Sequence, residues 1–191
     1  MERIQQFSEF ATPRVVERGL RFQVILDEDW TTNIGSCTVE DGSFNVYLGA
    51  KAYENENLLA SFLDVMLCHE LGHLLGAGPR KVNYLNNSGD WAAGEGESDY
   101  FAGSCVREMR AKFPLASAGL LHALHSAEGF FQFLQKPFQV LTGARPPQLG
   151  HFDRSIARIK MLDYPSHQCR LDSFVRGYLN QPRPECWTGR Q

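Results

Sequence analysis

The chemistry-bearing residues of this chain concentrate in His69-Glu70-Leu71-Gly72-His73. A helix turns about 100° per residue, so positions four apart share a face, and His69 and His73 can aim both imidazoles at one cation. Glu70 is offset from that pair but close enough to reach a water on the same metal. This is the spacing of zinc hydrolases. The bland alternative is two surface histidines on an ordinary helix, and the neighbours argue against it. Leu58, Leu59, Phe62, Leu63, Val65, Met66, Leu67, Leu71, Leu74 and Leu75 make the helix apolar almost all round. Such a helix is buried. Buried imidazoles and a buried carboxylate need partners, and one metal ion serves all three.

Catalytic zinc takes three protein ligands and keeps one position for water, so a third ligand must come from elsewhere. Glu95-Gly96-Glu97-Ser98-Asp99 begins 22 residues after His73 (95 − 73). That leaves room for a loop and a second helix packed on the first. Glu95 is the expected third ligand. Asp99, one turn on, is placed to accept a hydrogen bond from the outer nitrogen of a ligand histidine, which sets its tautomer. Glu97 competes for the ligand role but points off the Glu95/Asp99 face. Alone, the acidic run would read as a helix start that suits the helix dipole. Glu70 is then the general base, since bound zinc brings its water to a pKa of about 7. Candidate oxyanion donors are Tyr164, His167 and Arg170 in YPSHQCRL, with a surface helix cap as the alternative reading. His122 and His125, three apart on another expected helix, read as solvent-facing or core-edge residues.

Several elements must hold these residues. Met1 to Leu20 reads as mostly helical, broken by Pro13. RFQVIL (21–26) is β-prone, 31–40 is a polar loop ending in a short strand, and SFNVYL (43–48) alternates Phe44, Val46 and Leu48 on one face. Asp41-Gly42 is a turn signal between them. Together they predict a small, largely antiparallel sheet, whose exposed edge can pair with an extended peptide. Asn55 or Asn57 can cap the long helix, and Gly76, Gly78 and Pro79 stop it. Residues 80–89 read as a loop, and a helix stopped by Pro114 follows. Further helices are expected over 117–136, 155–162 and 168–179, with a loop over 137–150 and an irregular tail pinned by Cys186.

With these pieces in order, the chain resembles a gluzincin of the HtpX and CAAX-prenyl-protease types. Asn33-Ile34-Gly35 with SFNVYLG resembles the strand pair before the active-site helix. CHELGHLLG resembles the zinc helix, EGESDYFA the E-x-x-x-D element, and YPSHQCRL the late His-Pro-Ser…Arg element. The resemblance spans roughly 21–171. It implies His69, His73 and Glu95 as zinc ligands, Glu70 as base, Asp99 as a hydrogen-bond partner of a ligand, and Arg170 as the arginine near the site. Tyr164 stands where the family usually has His. The membrane helices of many members are absent, so the likeness is to soluble, periplasmic-type members.

The bulk properties are compatible. The chain has 191 residues, 43% hydrophobic, enough for one domain over 1–191 with a real core. A net charge of −3 favours neither nucleic acid nor an anionic membrane surface. No apolar run reaches the length of a membrane span, and MERIQQFSEF is not a signal peptide. Of five cysteines, Cys68 reads as an apolar filler in the buried helix, while Cys37, Cys105, Cys169 and Cys186 can form two disulfides. That points to a periplasmic or secreted protein, with a cytoplasmic one as the alternative if all five are reduced. The expectation is an α+β, mainly helical, zincin-like domain acting as a zinc peptidase on extended protein segments. The rival is a low-turnover zinc-site chaperone or interaction module in envelope assembly.

Overall fold

A computed structural model of the chain describes residues 2–29, 35–49, 60–78, 91–115, 119–155 and 165–188. The architecture is mixed α and β. Helix α1 (Glu2–Val16) is followed by strands β1 (Arg21–Asp27), β2 (Gly35–Glu40) and β3 (Ser43–Gly49). Helices α2 (Ala60–Leu75), α3 (Glu95–Lys112), α4 (Leu120–Thr142) and α5 (His167–Tyr178) and the single turn α6 (Glu185–Thr188) complete the described elements. Among the described residues, no helix is long and apolar enough to cross a membrane.

Helix α1 buries Ile4, Phe7, Phe10, Ala11 and Val15, a stripe at helical spacing. Contrary to expectation, Pro13 does not break it. Pro13 lies in the last turn, where one backbone bond is lost, and its own carbonyl still accepts from Glu17 N–H at 3.1 Å.

The sheet is mixed, which corrects the largely antiparallel expectation. Its order is β1-β3-β2, with β2 antiparallel and β1 parallel to β3. The β2–β3 hairpin closes through Asp41 (φ 49°) and Gly42 (φ 69°), both left-handed as a two-residue turn of this type requires. β1 could pair antiparallel only by docking on β2. It docks on the other side of the hairpin, where Phe22 pairs with Phe44 and Phe7 of α1 packs against it. This leaves β2 at the edge of the sheet.

Helix α2 is the centre of the core. Val65, Met66, Leu67, Cys68, Leu71 and Leu74 are all buried, each large apolar side chain contributing about 1.5–3 kcal/mol on burial. Helix α3 packs close against it. A Cβ on Gly72 of α2 would lie 2.7 Å from the Ser98 carbonyl oxygen, so only glycine permits this approach. Gly103 and Gly177 do the same between α3 and α5, where a side chain on either would collide with the other helix's backbone.

Two disulfides fasten these helices. Cys68–Cys105 joins α2 to α3, and Cys169–Cys186 joins α5 to α6. Cys68 is thus a bridge half-cystine, not an apolar filler, and Cys37 is in neither disulfide. Cys105, the partner of Cys68, sits 37 positions away, and only the close packing of α2 on α3 brings the two together. Helix α4 runs to Thr142, through Pro137 and beyond the expected end at 136. Pro137 removes only one backbone bond, while Ala123, Ala127, Phe130 and Phe131 on the same helix are buried. The tail contains the turn α6 where an irregular segment was expected, and Cys186 does pin it. Asn55, Asn57, the loop over 80–89 and the short helix at 155–162, apart from Ser155 itself, lie outside the described residues.

Candidate metal centre

His69 and His73 sit one turn apart on α2, and Glu95 opens α3 opposite them. All three are buried. His69 Nε2 lies 3.3 Å from Glu95 Oε2, and His73 Nε2 lies 3.7 Å from Glu95 Oε1. One donor atom from each residue falls within 4.8 Å of the others.

The far side of each imidazole is occupied. His69 Nδ1 is 2.8 Å from Asp99 Oδ1. An ionised carboxylate only accepts, so this nitrogen carries the proton and Nε2 presents a lone pair. His73 Nδ1 is 2.8 Å from the Ala93 carbonyl oxygen, which also only accepts, and 2.8 Å from Ser98 Oγ. The Ala93 N–H in turn donates to the His73 carbonyl at 2.6 Å. The reciprocal pair clasps the lead-in to α3 onto the end of α2.

Two imidazole lone pairs therefore face one carboxylate across a buried gap. Neutral histidines there would repel the carboxylate, and the Arg170 guanidinium offsets only one of the two acids, so the cluster needs a further positive charge. Without a metal that charge is a proton. Burial pushes the His69 pKa down, but the charge and hydrogen bond of Asp99, with those of Glu95, outweigh it and raise it to about 9. Burial pushes Glu95 up, yet His69, Arg170 and His73 hold it well below the usual carboxylate range. A tetrahedral zinc ion with bonds of about 2.0–2.1 Å places its ligand atoms about 3.3 Å apart. The observed separations and the N, N, O donor set fit that ion.

Arg170 is buried at 2% exposure. Its Nε donates to Asp99 Oδ2 at 2.7 Å, and its Nη2 lies 3.1 Å from both Asp99 Oδ1 and Glu95 Oε2. The guanidinium thus ties the Glu95 carboxylate to the aspartate that orients His69. His167, first residue of α5, is half-buried. Burial lowers its pKa, with Arg170 adding to the fall and Asp99 opposing it. Tyr164 lies outside the described residues. His122 and His125 join no such donor group among the described residues.

Glu97 is used elsewhere. Its carboxylate accepts from Ala77 N–H at 3.0 Å and from Arg183 Nε and Nη2, each at 2.6 Å. The Trp187 ring lies against Gly96, leaving no room there for a side chain. The C-terminal segment therefore holds down the start of α3, next to Glu95. Sequence reading missed Ser98, Arg183 and Trp187. Ser98 had a signal, because 95, 98 and 99 share one helical face. Arg183 and Trp187 had none.

Glu70, 7% exposed, follows His69 directly. Strand β2 passes beside it: a Cβ on Gly35 would lie 3.5 Å from Glu70 Oε1. The chain matches no family model, and neither a curated protein nor a solved structure is similar to it at a significant level.

Proposed function

We propose that the protein is a zinc-dependent peptidase of gluzincin type, with His69, His73 and Glu95 as ligands. The observation that carries this reading is the convergence of two oriented imidazoles and one carboxylate at ligand separation, with Glu70 on the same helix. Bound there, zinc would supply a Lewis acid that lowers the pKa of a water to about 7. Glu70 accepts the proton of the attacking water and returns it to the leaving amine. Asp99 and the Ala93 carbonyl keep both Nδ1 atoms protonated, so that both Nε2 lone pairs face inward. Arg170 positions Asp99 and Glu95 and offsets one of their two charges.

The substrate class is an extended protein segment. β2 is an edge strand of the sheet and its first residue lies beside Glu70, so a peptide added to that edge passes the site. The two disulfides fit an exported protein in an oxidising compartment.

Casein cleavage by wild type and Glu70→Gln, compared at equal zinc content, tests the reading. Glu70→Gln is expected to bind zinc and lose at least about 100-fold in rate, the usual contribution of a general base. Equal rates, or no zinc in wild type, would remove it.

A further inference from the structure

A second buried charge cluster lies on another face of α2. Asp64 and His69 are five residues apart, hence about 140° around the helix. Asp64 is fully buried. Arg3 of α1 grips it with two bonds, Nε to Oδ1 at 2.6 Å and Nη2 to Oδ2 at 2.7 Å. The remaining Arg3 nitrogen, Nη1, donates to Gln6 Oε1 at 2.8 Å and to the Phe113 carbonyl at 2.9 Å. Every nitrogen of the Arg3 guanidinium is thereby hydrogen-bonded.

Arg110, in the last turns of α3, is not matched in this way. It is 7% exposed and touches Asp64 only through Nε, at 3.3 Å. Its Nη1 and Nη2 are both buried, and neither has a hydrogen-bond partner among the described residues. The cluster holds two guanidinium groups against one carboxylate, a net charge of +1. Arginine does not shed that charge by deprotonating. A buried cation with four unmatched N–H donors calls for an acceptor that also carries negative charge. The open edge of a guanidinium is a planar fork, matched to two oxygens of one oxyanion.

We propose that the Arg3–Asp64–Arg110 corner is a binding site for a small oxyanion, held two-pronged by Nη1 and Nη2 of Arg110. Phosphate and carboxylate share the required chemistry. The site stands apart from the metal centre and does not depend on its assignment. An occupant there offsets the surplus charge of Arg110, whose Nε already holds Asp64, and its binding stabilises the packing of α3 against α2.

The test is thermal unfolding of wild type and Arg110→Met in inorganic phosphate, in acetate and in chloride, at one ionic strength. At ten times its dissociation constant, the bound oxyanion raises the wild-type midpoint by about 4 °C over chloride. Arg110→Met shows no such rise. A response to phosphate alone assigns the phosphoryl class, and a response to acetate as well assigns the wider one. An anion at the histidine cluster would act alike on both proteins and cancels in the comparison. Equal rises in both proteins mean an adventitious ion only and overturn the proposal, as does the absence of any rise in wild type. Should Arg110→Met fail to fold, Arg110→Lys keeps the charge without the fork and is expected to weaken oxyanion binding at least ten-fold. Unchanged binding in that variant overturns the proposal equally.

Discussion

Removing the Cys68–Cys105 disulfide tests how the two site-bearing helices are held. The bridge closes a loop of 37 residues. That loop contains the ligand candidates His69, His73, Glu95 and Glu97, together with Glu70, Ser98 and Asp99. A closure of this length removes roughly 13 cal/mol/K of chain entropy from the unfolded state, about 4 kcal/mol at 25 °C. Both cysteines are almost fully buried, so truncating them also leaves a small void, and 4 kcal/mol is the lower figure to expect. Against a total stability of about 5–15 kcal/mol, the loss is large. The variant is Cys68→Ala/Cys105→Ala, and the assay is urea unfolding followed by circular dichroism. With a slope of about 2 kcal/mol/M, the midpoint should fall by about 2 M. The Cys169–Cys186 bridge closes only 17 residues, so its removal should cost about 3 kcal/mol by the same argument. A Cys68→Ala/Cys105→Ala midpoint within about 0.5 M of wild type would refute the reasoning, since the unfolded chain would then gain nothing from losing the bridge.

Further outcomes follow from the site. In metal-free protein the folded-state pKa of His69, about 9, lies above its ordinary 6.5. Its contribution to stability is therefore complete below pH 6.5 and is lost as the pH rises through 9, by at most about 3 kcal/mol. Unfolding in a chelator at pH 6 and pH 10 checks this; zinc-loaded protein should lack the slope, because the cation takes the place of the proton. Ser98→Ala removes one of two partners of His73 Nδ1 and should weaken zinc binding about 10-fold, read by competition with a chromophoric chelator. Gly177→Ala forces a side chain into the Tyr100 backbone and should destabilise by about 1–3 kcal/mol. It should also weaken zinc binding by parting Arg170 from Asp99, whereas a distant cavity variant of equal cost should not.

What could be read from local sequence has a physical basis. Helical periodicity is local, so the face shared by His69 and His73, and that shared by Glu95 and Asp99, could be read without a fold. The turn at Asp41-Gly42 and the stop after Leu75 rest on backbone preferences of single residues and were equally visible. Glu95 against Glu97 was a matter of rotation about one helix, and the Glu95 face is the one that meets the histidines.

What the sequence by itself determined is thus the set of candidate donors and their angular positions on two helices. Tertiary packing decided the rest. The pairing of β1 depended on which side of a hairpin it met, and nothing within the strand distinguishes the two. Cys68 found Cys105 because Gly72 lets the backbones of α2 and α3 approach until side chains distant in sequence touch. Arg183 was matched to Glu97, and Arg170 to Asp99 and Glu95, across separations of 71 to 86 residues. A charged side chain carries no mark of its partner; only the path of the backbone brings the pair together, and low solvent exposure then makes the pairing obligatory.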